Sequence, residues 1–299
     1  MWSCIHPVQF KMDLLCPRTS FPFSPPFAMM FLLASSSSFI FSCICYSLMS
    51  PQFTSVKQKS WIVTFLASAA MSTCSLPFLR DFLSEQGDIL AVRHRTLLAK
   101  AMCGSFQGFL LSDLVIGTAE YPRQLSPVLG WAHHIIYALI LPFITTRGWS
   151  HVFSLCLSME IPTCLLSASF LWPKLRNDAL YVVLFFWTRI ALHAALLLES
   201  VLPRGRHGAM GGSFTPACLF LAAFIMHAQW FLSSAKGAIR RVRANSRSGT
   251  VINNQDLQVR KTIFVLDLYS LWQSRAGRSL SAPFASTAHF GSSTLRISR

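Results

Sequence analysis

The sequence predicts an all-α fold, a multi-pass bundle of transmembrane helices with about seven spans, six of them enclosing a polar-lined cavity. Three observations carry this expectation. The chain is 53% hydrophobic and only 12% charged, with a mean hydropathy of +0.47, far from the usual balance of a globular domain. Its charges cluster between apolar runs that approach the roughly 20 residues needed to cross about 30 Å of hydrocarbon. Those runs are continuous, whereas the strands of a membrane barrel would alternate in hydrophobicity.

Residues 1–54 form an N-terminal region with one span. Residues 1–26, with "CPRTSFPFSPPF", are irregular and Pro-rich, and they lack the compact basic start and small-residue cleavage site of a secretory signal. The first span is expected at 27–49, where four successive serines can bond back to helix carbonyls. The membrane domain proper runs from 55 to 240. Its first span begins at Trp61, and Pro77 marks a kink or a stop. Residues 80–100 form a charged loop or interfacial segment. The next span covers about 102–121, bounded by Pro122, and another covers 127–146, with Pro127 preset for a first helical turn. A span at 149–172 should kink at Pro162, just after Glu160. The last two spans are expected at 179–202 and 214–234.

Residues 241–299 are a basic, largely disordered cytosolic tail. From Ala235 onward, 11 Lys and Arg face only Asp256 and Asp267, a surplus of +9 within the overall +15. A basic run that follows a last span fixes orientation and touches an anionic lipid surface, so no nucleic-acid partner is expected. The apolar stretch at 261–272 is too short to span and suits a helix lying along the membrane surface. With this tail in the cytosol, seven spans place Lys57, Lys59, Arg123, Lys174 and Arg176 in cytosolic loops. The loop at 80–100, with Arg80, Arg93, Arg95 and Lys100, opposes that orientation. Nothing in the sequence fixes an oligomeric state.

None of the nine cysteines forms a CxxC pair, and most lie in apolar runs, which makes them small hydrophobes rather than a disulfide or zinc framework. No Asn-x-Ser/Thr sequon, GxSxG, Walker or GxGxxG element occurs.

Nine polar or ionisable residues fall inside the expected spans: Asp113, Glu120, His133, His134, Glu160, Arg189, His193, Glu199 and His227. Such groups are costly in hydrocarbon, so they face a bundle interior and commonly mark function. Asp113, Glu160, Arg189 and His193 lie deepest, while Glu120 and Glu199 lie near span ends. Neighbouring helical residues point about 100° apart, so at most one of His133 and His134 can aim into a cavity. Tyr137 shares the face of His133 one turn on. Arg189 and His193 are also one turn apart and could meet Asp113 or Glu160. Their bland reading is a buried hydrogen-bonded pair that fixes packing. No metal is expected, because membrane di-iron sites need HxxxH or HxxHH spacing.

"GFLLSDLVIG", then "HH" at 133–134, then "SMEIPTCLLSASFL", together resemble the TLC-domain family, across roughly residues 55–240. The resemblance implies a lipid-handling bundle of the endomembrane system, chiefly the endoplasmic reticulum. In its ceramide synthases a His pair and downstream aspartates join a fatty acyl-CoA to a sphingoid amine, and His133 and His134 match that pair. Glu160 instead opens "EIPT", with no aspartate before Asp178. That is more similar to the non-synthase branch, tied to lipid homeostasis. The leading expectation is therefore a protein that binds or senses a membrane lipid or acyl chain in an intramembrane cavity. Asp113, Tyr137, Glu160, Arg189 and His193 would line it beside the candidate catalytic His133 and His134. One alternative is an acyl-CoA-dependent N-acyltransferase, with acyl-CoA as co-substrate and no other cofactor. A second is a non-catalytic membrane scaffold.

Overall fold

A computed structural model describes the backbone of residues 25–125 and 131–247 and the side chains of 28–125 and 131–243. Among the described residues every regular element is helical. The apolar stretch at 261–272 and most of the N-terminal Pro-rich segment lie outside them. The chain divides into two units, Met1–Gly237 and Ala238–Arg299. In the second, only the end of one helix is described.

The helices are α1 (Pro25–Met49), α2 (Val56–Lys59), α3 (Ile62–Ser84), α4 (Thr96–Glu120), α5 (His133–Thr146), α6 (Ser150–Cys156), α7 (Ile161–Leu171), α8 (Asp178–Phe185), α9 (Leu192–Val201), α10 (Pro203–Met210) and α11 (Thr215–Arg247). Among the described residues, five helical stretches are long and apolar enough to cross a membrane: Ala28–Gln52, Val56–Ser84, Ser150–Leu171, Asp178–Val201 and Thr215–Arg243. That set fits a multi-pass membrane protein, and it is two short of the seven spans expected. α4 is long enough at 25 residues, but its Gly, Ser, Gln and Asp residues dilute its apolar character. α5 has only 14 residues, and residues 127–130 of the span expected there lie outside the described residues. Large apolar side chains point outward along the stretches that qualify, with Leu32 and Leu33 on α1, Trp187 between α8 and α9, and Ile225 on α11 all more than half exposed. In water such a surface would be a liability, whereas in lipid it is the ordinary one.

Proline and helix regularity account for the local departures from the expected spans. α3 runs through Pro77 to Ser84 instead of stopping there. The missing N–H removes one rung of the ladder, a loss that packed helices in a membrane absorb. The charged loop expected at 80–100 is correspondingly short, a 3-10 turn at Ile89–His94 between α3 and α4. Around Pro162 the chain tightens into a 3-10 turn, Leu157–Glu160, before α7 begins. The span expected at 179–202 is interrupted by a π-helical turn, Phe186–Ala191, which sequence periodicity does not announce.

Among the described residues the most extensive helix pairing joins α1 to α4. A Cβ on Gly108 would sit 1.9 Å from the Ser35 carbonyl oxygen, and one on Gly104 would sit 2.6 Å from that of Phe31. Small residues four apart let two backbones approach this closely, as in membrane helix pairs generally. Two groups of contacts mark opposite ends of the unit. At one end Tyr46 meets Tyr121 (ring centroids 6.2 Å apart), Trp61 stacks on Phe170 at 4.4 Å, and Gln58 Nε2 donates to the Leu171 carbonyl at 3.2 Å. At the other, Arg95 Nε donates to Asp81 Oδ2 at 2.5 Å, Arg204 pairs with Asp88, and Arg93 Nη1 donates to the Gly208 carbonyl at 3.0 Å.

Candidate functional site

The irregular turns place the central polar cluster. Arg189 sits in the π turn and is 7% exposed. Its Nε donates to the Met159 carbonyl (2.7 Å), and its Nη2 donates to Glu160 Oε1 (3.0 Å) and Thr163 Oγ1 (2.7 Å). Met159 and Glu160 belong to the 3-10 turn before Pro162. One guanidinium thus gathers a backbone carbonyl, a carboxylate and a hydroxyl from the facing strand of chain. Pairing with Glu160 (side chains 9% and 22% exposed) keeps the charge tolerable in a dry interior.

The rest of the cluster is a directed chain of hydrogen bonds. Arg189 Nη1 lies 3.3 Å from His227 Nε2, His227 Nδ1 lies 3.0 Å from His193 Nδ1, and His193 Nε2 lies 2.9 Å from the Phe220 carbonyl oxygen. A guanidinium only donates and a carbonyl only accepts, so the protons have one consistent arrangement. Arg189 donates to His227 Nε2, His227 donates from Nδ1 to His193 Nδ1, and His193 donates from Nε2 to Phe220. Both imidazoles then carry one proton each, and all four ring nitrogens are used. His193 and His227 are 2% and 5% exposed.

Beside this cluster is a pocket of about 370 Å³, within the range of about 300–1,000 Å³ usual for small-ligand sites. Its walls are mainly apolar, with Ile140, Phe153, Leu219 and Met226 among them, and its polar groups are His133, Tyr137, Glu160, Arg189, His193 and His227. The polar residues form one patch in a largely apolar wall, and most of them are bonded to one another. His133 packs against Tyr137 with the rings tilted by 53° (centroids 4.6 Å apart) and meets Trp230 edge-on at 5.9 Å.

Asp113 and His134, expected beside those residues, are not on the pocket wall. Asp113 is 4% exposed and accepts from the Tyr121 hydroxyl at 3.3 Å. His134 Nδ1 comes within 3.3 Å of Asp113 Oδ2, but at an angle that leaves that buried nitrogen without a hydrogen bond. The divergence follows from helix geometry. His133 and His134 point about 100° apart, so one turns to α11 and the pocket while the other turns back to α4. The structure therefore splits the expected site in two: His133, Tyr137, Glu160, Arg189 and His193 come together, and Asp113 with His134 forms a separate pair.

His227 and Thr163 belong to the cluster, and the sequence alone did not assign either a role there. Thr163 lies three residues after Glu160, on the same helical face, so a signal existed. His227 could only be joined to His193 by knowing that α11 crosses α9. No group of three or more His, Cys, Asp or Glu residues among those described is arranged to hold a metal ion.

Comparison with family models, with curated proteins and with solved structures finds no match.

Proposed function

We propose that this chain is a TLC-like integral membrane protein that binds a lipid acyl chain in the pocket between α5, α6 and α11 and contributes to lipid homeostasis. One observation carries the reading: an apolar hollow in a membrane-type bundle ends at a buried, internally paired Arg189, Glu160, His227 and His193 cluster. Apolar walls suit a hydrocarbon chain, and a few fixed polar groups suit its oxygen-bearing end. The "SDL", "HH" and "EIPT" segments add the sequence resemblance.

In this reading α4 and α5 cross the membrane together with the five apolar stretches, giving seven traverses. The cations Lys57, Lys59, Arg123, Lys174 and Arg176 then share one face, which faces the cytosol and the anionic leaflet. The endoplasmic reticulum is the compartment that the resemblance implies.

A second reading, acyl transfer from acyl-CoA to an amine, draws on His133. Among the described residues no hydrogen bond engages its ring nitrogens, and it lines the pocket, so it is an imidazole there with capacity for a general base. The experiment that separates the readings starts from protein purified in mild detergent. Extracted lipid is identified by mass spectrometry, and the protein is then given acyl-CoA with a sphingoid base. Co-purified lipid without turnover is the expected result. Turnover abolished by His133→Ala would establish the transferase, and neither lipid nor turnover would overturn both.

A further inference from the structure

The pocket wall is not continuous. Ala132 and Ile136, at the start of α5, and Ala222 on α11 line the pocket and are also exposed on the outer surface, Ile136 to 52%. A residue that does both stands at a mouth. Two of the three are alanines, so the rim is low on both sides, and the neighbouring outward residues, Leu139 at 71% and Leu221 at 51% exposure, are those of a lipid-facing surface. The mouth therefore opens toward hydrocarbon and away from the charged ends of the helices.

α11 is suited to be its movable side. It is the least buried of the five apolar stretches, with 11% of its span window buried, and α5 and α11 meet through side chains, such as His133 against Trp230, more than through backbone packing. Just before α11 the chain passes through Gly211 and Gly212, both at positive φ (61° and 79°), a conformation that glycine adopts without strain. The Phe220 and His227 contacts to His193 and Arg189 hold α11 at the polar end of the pocket, leaving the seam beside Ile136 and Ala222 as its looser edge.

We propose that the pocket is loaded sideways from the bilayer, through the seam between α5 and α11 at Ala132, Ile136 and Ala222, by an acyl chain already dissolved in the membrane. This rests on the acyl-chain reading above and adds the route and the source: a chain attached to a bilayer lipid, not a water-borne acyl-CoA. A chain entering sideways keeps its methylenes in apolar surroundings throughout, whereas entry from an end of the bundle would drag them past ionic pairs, Arg95 with Asp81 at one end and Arg176 with Asp178 at the other.

The test uses the full chain reconstituted in phosphatidylcholine vesicles. One arm carries a phosphatidylcholine with a diazirine in its acyl chain, and the other receives the matching diazirine acyl-CoA from the water. After illumination, labelled peptides are mapped over time. In the wild type, the vesicle-borne label should reach Tyr137, Phe153 and Met226. Ile136→Trp and Ala222→Trp should slow that labelling about tenfold, the effect of a barrier raised by about 1.4 kcal/mol. Ile136→Ala should speed it. Leu139→Trp and Leu221→Trp, on the same helices but outside the mouth, should leave it unchanged, and equal helicity and gel-filtration behaviour across the set excludes misfolding. Pocket labelling at the same rate in every variant, or labelling only by acyl-CoA, overturns sideways loading and leaves the acyl-chain reading standing. No pocket labelling from either probe overturns both.

Discussion

Arg189 Nη1 donates to Nε2 of His227, 3.3 Å away on a helix 38 residues further along the chain. That bond and its continuation through His193 to the Phe220 carbonyl tie α11 to the rest of the bundle by its polar groups. Arg189 at the same time satisfies Met159, Glu160 and Thr163, so it serves four acceptors from a single planar fork.

Arg189→Met should therefore cost about 3–5 kcal/mol, the penalty for leaving a buried ion pair with one member. Arg189→Lys should recover little, because an ammonium has three donors and no fork geometry. Thermal unfolding in detergent reads both, and the double variant Arg189→Met with Glu160→Gln should recover part of the loss by removing the orphaned charge.

His133→Ala and His134→Ala should separate into different phenotypes. The first enlarges the pocket beside Tyr137 and should alter which lipid co-purifies while leaving the melting temperature nearly unchanged. The second removes a ring packed 3.3 Å from the buried Asp113 and should lower stability by about 2 kcal/mol through the cavity it leaves. Identical behaviour of the two single variants would contradict the divergence of the two rings.

Gly108→Leu should drive α1 from α4, since even a Cβ there falls 1.9 Å from the Ser35 carbonyl. Gly108→Ala should already cost about 1–3 kcal/mol through overpacking. Protease sensitivity of the segment around α1, compared with that of α3, measures the separation.

Seven traverses predict opposite sidedness for two loops. In a cysteine-free background, Arg123→Cys, in the turn between α4 and α5, should react with a membrane-impermeant maleimide from the cytosolic side only, and Glu85→Cys from the opposite side only. Labelling of both from one side would remove two traverses and return the count to the five stretches that qualify by length and composition.

The all-helical fold, with helices long and apolar enough to cross a membrane, was legible in the composition and in continuous apolar runs, because bilayer thickness imposes a length on each span. The local irregularities were less so. Pro162 announced a break beside Glu160, yet Pro77 carried the same signal and α3 continued through it, since neighbouring helices decide whether a missing N–H ends a helix. The π turn at Arg189 has no periodic signature at all. Within the candidate site, the pairing of Tyr137 with His133 followed from one-turn spacing, whereas Arg189 with His227 and the separation of Asp113 from the pocket depended on how whole helices cross. The Gly104 and Gly108 contact drew no expectation from the sequence, and only the structure identifies α1 as its partner.

The most direct measurement is an electron cryo-microscopy map of the full chain in lipid nanodiscs. An elongated density inside the pocket, running along Phe153 and Met226 with its head toward Arg189 and His133, is the predicted result. A pocket closed by its own side chains, or occupied by nothing longer than water, would contradict the acyl-chain reading.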